Sequence, residues 1–138
     1  GLLGSEANEI APKKRPLSSM SPTIVMKNNE LFFTTGSPGG SRIISAVLQS
    51  ILNIVDFDMD LEEATYAKRI HHQWQPDVLE IELSIDQKTK NDLKGIGYNV
   101  EIKDPLTCIQ TIMYKDKEYT GYGDFRRPDA FASGKIND

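Results

Sequence analysis

Apolar residues recur along this chain with two different periods, and the period separates helix from strand. Residues 1–22 show neither period: the stretch is polar, with Pro12, Pro16 and Pro22 spaced across it. Prolines at that density exclude a continuous helix and predict an extended segment laid over a surface. β-Branched and aromatic residues then gather in Thr23-Ile24-Val25-Met26 and in Leu31-Phe32-Phe33-Thr34-Thr35, on either side of Asn28-Asn29. Asn tolerates the positive φ of a tight turn, so the pattern predicts a hairpin. From Ile43 to Val55 the polar residues Ser45, Gln49 and Asn53 recur every fourth position, and Ser50 is the only other polar one. Ile43, Ile44, Val47, Leu48, Ile51, Leu52 and Val55 fill the rest of the circumference. A helix apolar on most sides is expected to be buried between a sheet and another layer, with Val47 and Ile51 inside.

Asp60 and Glu63 have capping-box spacing, which predicts a shorter helix through about Lys68. The second half alternates. Val78 to Leu83 places Leu79, Ile81 and Leu83 on one face of a strand and Glu80 and Glu82 on the other. A polar helix is expected over 86–94, stopped by Gly95 and Gly97. Strands are predicted at 98–102, 108–114 and 119–122, the last two joined by Lys115-Asp116-Lys117. About six strands and three helices give an α+β class with layered sheet and helix.

A length of 138 residues suits one domain or a piece of one. The net charge of −4 argues against nucleic acid as the main partner, because such binding rests on Lys and Arg neutralising phosphates. Lys13-Lys14-Arg15 is the local exception, and three basic residues in a row are expected as a solvated turn or a structural pairing site rather than a nucleic-acid patch. Cys108 is alone, so neither an intrachain disulfide nor a cysteine metal site can form. No run of 18 apolar residues occurs that could span a membrane, and no secretory leader is visible. Gly1-Leu2-Leu3-Gly4 reads as the middle of a loop, as expected of a chain whose beginning lies elsewhere.

The most informative segment is Thr34-Thr35-Gly36-Ser37-Pro38-Gly39-Gly40-Ser41-Arg42. A strand ends, glycines permit close backbone approach, and a helix begins. Backbone N–H groups at such a junction suit an anion or a developing oxyanion. Taken alone, the segment favours the plainer alternative, a glycine turn with no ligand. It has neither the Walker spacing nor that of a dinucleotide fingerprint. Ser18-Ser19 is a second candidate: paired hydroxyls between Pro16 and Pro22 could grip a carboxylate, or one could act as a nucleophile given a nearby base. Composition alone favours a serine-rich surface turn. His71-His72-Gln73-Trp74 lacks partners at metal-ligand spacing, so one His is expected to bond within the fold while Trp74 packs. Asp56-x-Asp58-x-Asp60 fails as a calcium loop, with Leu61 at the turn-glycine position and Ala67 at the bidentate-glutamate position. These acids are expected to end one helix and cap the next.

Three blocks resemble the γ-glutamyltranspeptidase family. They are Ala7-Asn8-Glu9-Ile10 through Leu17-Ser18-Ser19-Met20-Ser21-Pro22-Thr23-Ile24-Val25, Gly36-Ser37-Pro38-Gly39-Gly40-Ser41-Arg42-Ile43-Ile44, and Arg69-Ile70-His71-His72-Gln73-Trp74-Gln75-Pro76-Asp77. A fourth, Gly121-Tyr122-Gly123-Asp124-Phe125-Arg126-Arg127, is similar to the family's closing Asp-Pro-Arg segment, with Phe125 where Pro is usual. The resemblance implies an N-terminal-nucleophile hydrolase, an αββα sandwich that is incomplete here, with residues 1–138 as the C-terminal portion of the small subunit. Such enzymes process themselves from a precursor. A new N-terminal Thr attacks a γ-glutamyl amide, and the acyl group passes to water or to an amino acceptor. By the resemblance Ser18 and Ser19 would hold the α-carboxylate, and Gly39 and Gly40 would supply oxyanion N–H groups. It implies no cofactor and no metal, a periplasmic or extracellular location, and as partners the large subunit, the remainder of the small subunit, and glutathione or other γ-glutamyl compounds. The family's Thr-Thr-His N-terminus is not in this sequence, and Gly1 has no side chain to serve as nucleophile, so the isolated chain is expected to be inert. Two alternatives stay open: a related acylase or poly-γ-glutamate depolymerase, and a non-catalytic anion-binding fragment.

Overall fold

The computed structural model describes Gly4 and residues 6–134, so the Gly1-Leu2-Leu3 opening lies outside the described residues. After a short 3₁₀ turn at Glu6–Asn8 come β1 (Thr23–Lys27), β2 (Glu30–Gly36), α1 (Arg42–Val55) and α2 (Leu61–Tyr66). Then follow β3 (Ile70–His71), β4 (Leu79–Ile81), α3 (Gln87–Gly95), β5 (Val100–Ile102), β6 (Gln110–Lys115) and β7 (Glu118–Gly121). The class is α+β, as the periodicity predicts.

The strands form two sheets. In the larger, order β1-β2-β6-β7, every neighbouring pair is antiparallel. Its hairpin turns are built from left-handed pairs, Asn28 and Asn29 at φ 54 and 65 and Asp116 and Lys117 at φ 53 and 67. Positive φ at both central residues matches the turn to the strand twist. The smaller sheet, β3-β4-β5, pairs β3 with β4 antiparallel and β4 with β5 parallel, with α3 in the crossover. The two-residue β3 is the strand that the sequence pattern does not signal.

Helix α1 lies against β2, α2 and β3, and its Ile43, Ala46, Val47, Ser50 and Ile54 are all buried. These positions follow the 3.6-residue period, so they form one stripe. Val47 and Ala46 pack with Ile109, while Ile54 joins Phe33, Leu61 and Ala64 in a second cluster; the half-buried Ile51 touches both. The expectation of a helix covered on most sides is corrected: Ile44, Leu48 and Val55 are exposed, because the described residues pack against only one side of it. The Asp60–Glu63 capping box opens α2 as expected, each side chain bonding the other's backbone N–H.

Two further expectations fail. Leu83 is exposed while Glu82 is buried at 1 %, the reverse of the alternating pattern. The strand stops at Ile81 and the chain turns, so face alternation ends before either residue. Trp74 does not pack: it is exposed and adopts φ 71 in a turn. Lys13, Lys14 and Arg15 are exposed. No helix among the described residues is long and apolar enough to cross a membrane.

Candidate active site

Strand β2 ends at Gly36, α1 begins at Arg42, and the glycine turn occupies the gap. Gly39 and Gly40 both take positive φ, 132° and 61°, which L side chains adopt at a cost. Gly39 is fixed for a second reason: a Cβ there would lie 2.7 Å from Thr107 Oγ1.

The carbonyls of this turn are individually held. Gly39 C=O accepts the Arg42 N–H and Gly40 C=O the Ile43 N–H, each at 3.2 Å. Pro38 C=O accepts a hydrogen bond from Thr107 Oγ1. In a trans peptide the N–H points away from the carbonyl of the preceding residue. Holding the Pro38 and Gly39 carbonyls therefore aims the Gly39 and Gly40 N–H groups. Both glycines are exposed, and no hydrogen bond from either N–H occurs among the described residues. Helix α1 adds the positive end of its dipole without a side-chain cap or an acidic residue in its first turn. Together these make a place where negative charge is favoured.

The two serine and glycine candidates meet. Ser19 Oγ donates to Gly40 C=O at 2.6 Å, joining segments 21 positions apart. Ser18 is exposed, and its Oγ accepts the Met20 N–H at 3.2 Å. The extended 16–22 stretch is thereby fastened beside the turn, with Ser18 at the surface.

Ser41, just after the glycines, donates at 2.5 Å to Gln73 Oε1, which also lies 3.0 Å from His71 Nε2. Because that oxygen only accepts, His71 Nε2 is the donor to it, and Nδ1 lies 2.8 Å from Ser45 Oγ. This buried histidine thus bonds within the fold, as expected of one of the pair. Arg42 bonds Glu80 in a fork, both distances 2.6 Å. The fork holds the Glu80 carboxyl below the usual glutamate range against the opposing effect of burial. Between this wall and the glycines opens a cleft of about 340 Å³, lined also by Val78 and Glu101.

Beneath the site sits an arrangement that local sequence reading misses. Arg126 bonds Glu82 through Nε and Nη2 at 2.6 and 2.7 Å and Asp124 through Nη1 at 3.1 Å; Arg69 bonds Asp124 at 3.0 Å. All four side chains are nearly inaccessible. Burial, followed by the neighbouring Arg126, lowers the Arg69 pKa. Burial is also the largest single effect on Arg126 and opposes its charge, but the hydrogen bonds and charges of Glu82 and Asp124 together outweigh it and raise that pKa. The sequence signals were Arg69, at the head of the third matched block, and the Asp124-Phe125-Arg126 match to a closing family segment. Its partner Glu82 gave none.

Comparison with known proteins fits this geometry. The sequence model of the family described as gamma-glutamyltranspeptidase matches residues 1–134. The chain is similar to the glutathione hydrolase proenzyme of Escherichia coli (strain K12), 46% identical over 135 residues, covering 97% of this chain and 23% of that protein. It is 44% identical over 114 residues to the glutathione hydrolase proenzyme of Pseudomonas sp. (strain A14), covering 82% of this chain and 20% of that one. It therefore spans about a fifth to a quarter of the length of these curated relatives. Among solved structures, a mutant of Helicobacter pylori γ-glutamyltranspeptidase superposes with a TM-score of 0.85 at 46% identity, covering 92% of this chain and 71% of that one. A Bacillus anthracis transpeptidase gives 0.75 at 26% identity, over 89% of this chain and 75% of that one.

Proposed function

The chain belongs to the γ-glutamyltranspeptidase family, and from that premise we propose that it is the C-terminal portion of the small subunit of an enzyme that cleaves γ-glutamyl amides and passes the acyl group to water or an amino acceptor. In this reading the nucleophile comes from the remainder of the precursor, and glutathione or a related γ-glutamyl compound is the donor. Nucleophilic attack on the γ-carbonyl places a negative charge on its oxygen. The Gly39 and Gly40 N–H groups stabilise that charge, and preorganised donors of this kind act only where it develops. Ser18 and Ser19 hold the α-carboxylate of the γ-glutamyl group, Ser19 by turning its one hydroxyl proton from the Gly40 carbonyl to the carboxylate when the donor binds. The large subunit completes the site, and the enzyme works in the periplasm or outside the cell.

The single observation that carries the reading is the Ser19–Gly40 hydrogen bond, which fastens the serine pair to the glycine turn. A non-catalytic anion site would need the turn but not the serines beside it.

The test is steady-state kinetics of the full-length, processed enzyme on γ-glutamyl-p-nitroanilide. Replacing Ser18 and Ser19 by Ala should raise the donor KM, since each charge-assisted bond to the carboxylate contributes about 1.5–3 kcal/mol. Gly40→Pro deletes a main-chain donor and should act on kcat, by about 10²–10³. A serine variant with unchanged KM, or a folded Gly40→Pro enzyme with unchanged kcat, would refute the assigned roles.

A further inference from the structure

We propose, resting on the γ-glutamyl-transfer reading above, that Thr107 is a positioning residue that fixes the Pro38–Gly39 peptide plane and so aims the Gly39 N–H at the developing oxyanion. Two consecutive glycines give the turn more conformational freedom than any other pair of residues would. An oxyanion donor must nevertheless be aimed before the charge appears, or the reorganisation cost returns. Something outside the turn has to remove that freedom.

Thr107 is placed to do so. Its hydroxyl donates to Pro38 C=O, the acceptor half of the peptide whose other half is the Gly39 N–H. A hydroxyl has one proton. With that of Thr107 given to Pro38, Ser37 Oγ has its own proton within reach of Cys108 C=O at 2.7 Å, of Pro38 C=O itself at 2.8 Å and of Thr107 Oγ1 at 2.9 Å, the Cys108 contact being the shortest. The hydroxyl pair therefore straps the turn to the 107–108 segment at two points. Steric contact acts in the same direction, since the space a Gly39 side chain would need is occupied by Thr107 Oγ1 and Cβ, at 2.7 and 3.1 Å.

The 107–109 segment is itself immobilised from below. Arg69 Nη1 donates to Thr107 C=O at 3.1 Å, and Asp124 Oδ2 accepts the Ile109 N–H at 2.8 Å. These two side chains are paired with each other and buried. A rigid ionic base thus carries Thr107, and Thr107 carries the turn. In this arrangement Thr107 acts through the Gly39 N–H, the group that meets the developing charge.

The experiment compares full-length processed enzyme carrying Thr107→Ser, Thr107→Ala and Thr107→Val with the unmodified enzyme and Gly40→Pro, by steady-state kinetics on γ-glutamyl-p-nitroanilide and by thermal melting. Thr107→Ser keeps the hydroxyl and should keep kcat. Thr107→Ala and Thr107→Val should lower kcat about tenfold to 100-fold at constant donor KM, less than the ~10²–10³ expected for deleting a donor outright. If Val folds poorly, Ala against Ser still isolates the hydroxyl. Folded Ala and Val enzymes with the kcat of the Ser variant would overturn the proposal, as would a change confined to KM. Failure of both Ala and Val to fold would make Thr107 purely structural and overturn it too. If Gly40→Pro loses kcat while the Thr107 variants do not, only the clamp is wrong; if the unmodified enzyme shows no turnover, the transfer reading falls and the clamp with it.

Discussion

Removing one member of the buried ionic cluster should cost about as much as removing the two that pair. Glu82 accepts both Arg126 bonds and the Arg69 backbone N–H at 3.0 Å. At an effective dielectric near 20, unit charges about 4 Å apart attract by about 4 kcal/mol. Taking each ion out of water costs several kcal/mol, so the intact pair gains little over apolar side chains of similar size. Half a pair is different. Glu82→Leu leaves the Arg126 guanidinium, 3 % exposed, with only Asp124 for charge, and Asp124 is already shared with Arg69. A loss of about 3–5 kcal/mol is expected, and a similar one for Arg126→Met.

In the double variant the Arg69–Asp124 pair remains and is electrically balanced. Its loss should be near that of one single variant, set by the Arg126 bonds to the Ala67 and Thr65 carbonyls that disappear. The check is a double-mutant cycle on the full-length enzyme, with thermal melting as the readout. The double variant should melt no lower than the worse single variant. Losses that add to within about 0.5 kcal/mol would show independent sites and refute the argument.

How far the sequence carried the fold follows from the distance over which each feature is determined. The Asn28-Asn29 turn and the Asp60–Glu63 box were legible because every interaction that makes them lies within four residues. The buried stripe of α1 was legible at Val47, but which of its apolar residues face solvent depends on what lies opposite, and Ile44 and Leu48 show that periodicity cannot say. Glu82 was misread because its partner Arg126 is 44 positions away, and a carboxylate in an alternating run looks solvated until that partner is known. The site divides in the same way. The serine and glycine motifs were visible as separate pieces, but their junction spans 21 positions, and the Thr107 clamp spans 69. Thr107 follows a turn-forming Asp104-Pro105 and carries no local mark of its contact with Gly39.

Ile109 is fully buried against Ile43, Ala46 and Val47 of α1, so Ile109→Ala should destabilise the enzyme by about 2–5 kcal/mol, read as a lower melting temperature; an unchanged melt would mean that this cluster is not a core. Gly123→Ala would set a Cβ 2.3 Å from the Ala130 carbonyl oxygen, a backbone atom that cannot swing aside. Folded, soluble enzyme should therefore be scarce for that variant, and a normal yield would contradict the packing of the closing segment. Acid should release the Arg42–Glu80 fork, and the sign is set by the lowered Glu80 pKa, for which the Arg42 bond is the main cause. A carboxyl whose folded pKa lies below its unfolded one stabilises the fold fully above the unfolded value, about 4.3 for glutamate, and loses that contribution as pH falls through the folded value. Glu80→Gln should thus melt lower than the unmodified enzyme at neutral pH, and the two melting curves should converge on acidification. Curves that stay parallel down to the acid limit would mean that the neutral side chain supports Arg42 as well as the charged one, and that the fork contributes no ionic stabilisation to the wall of the cleft.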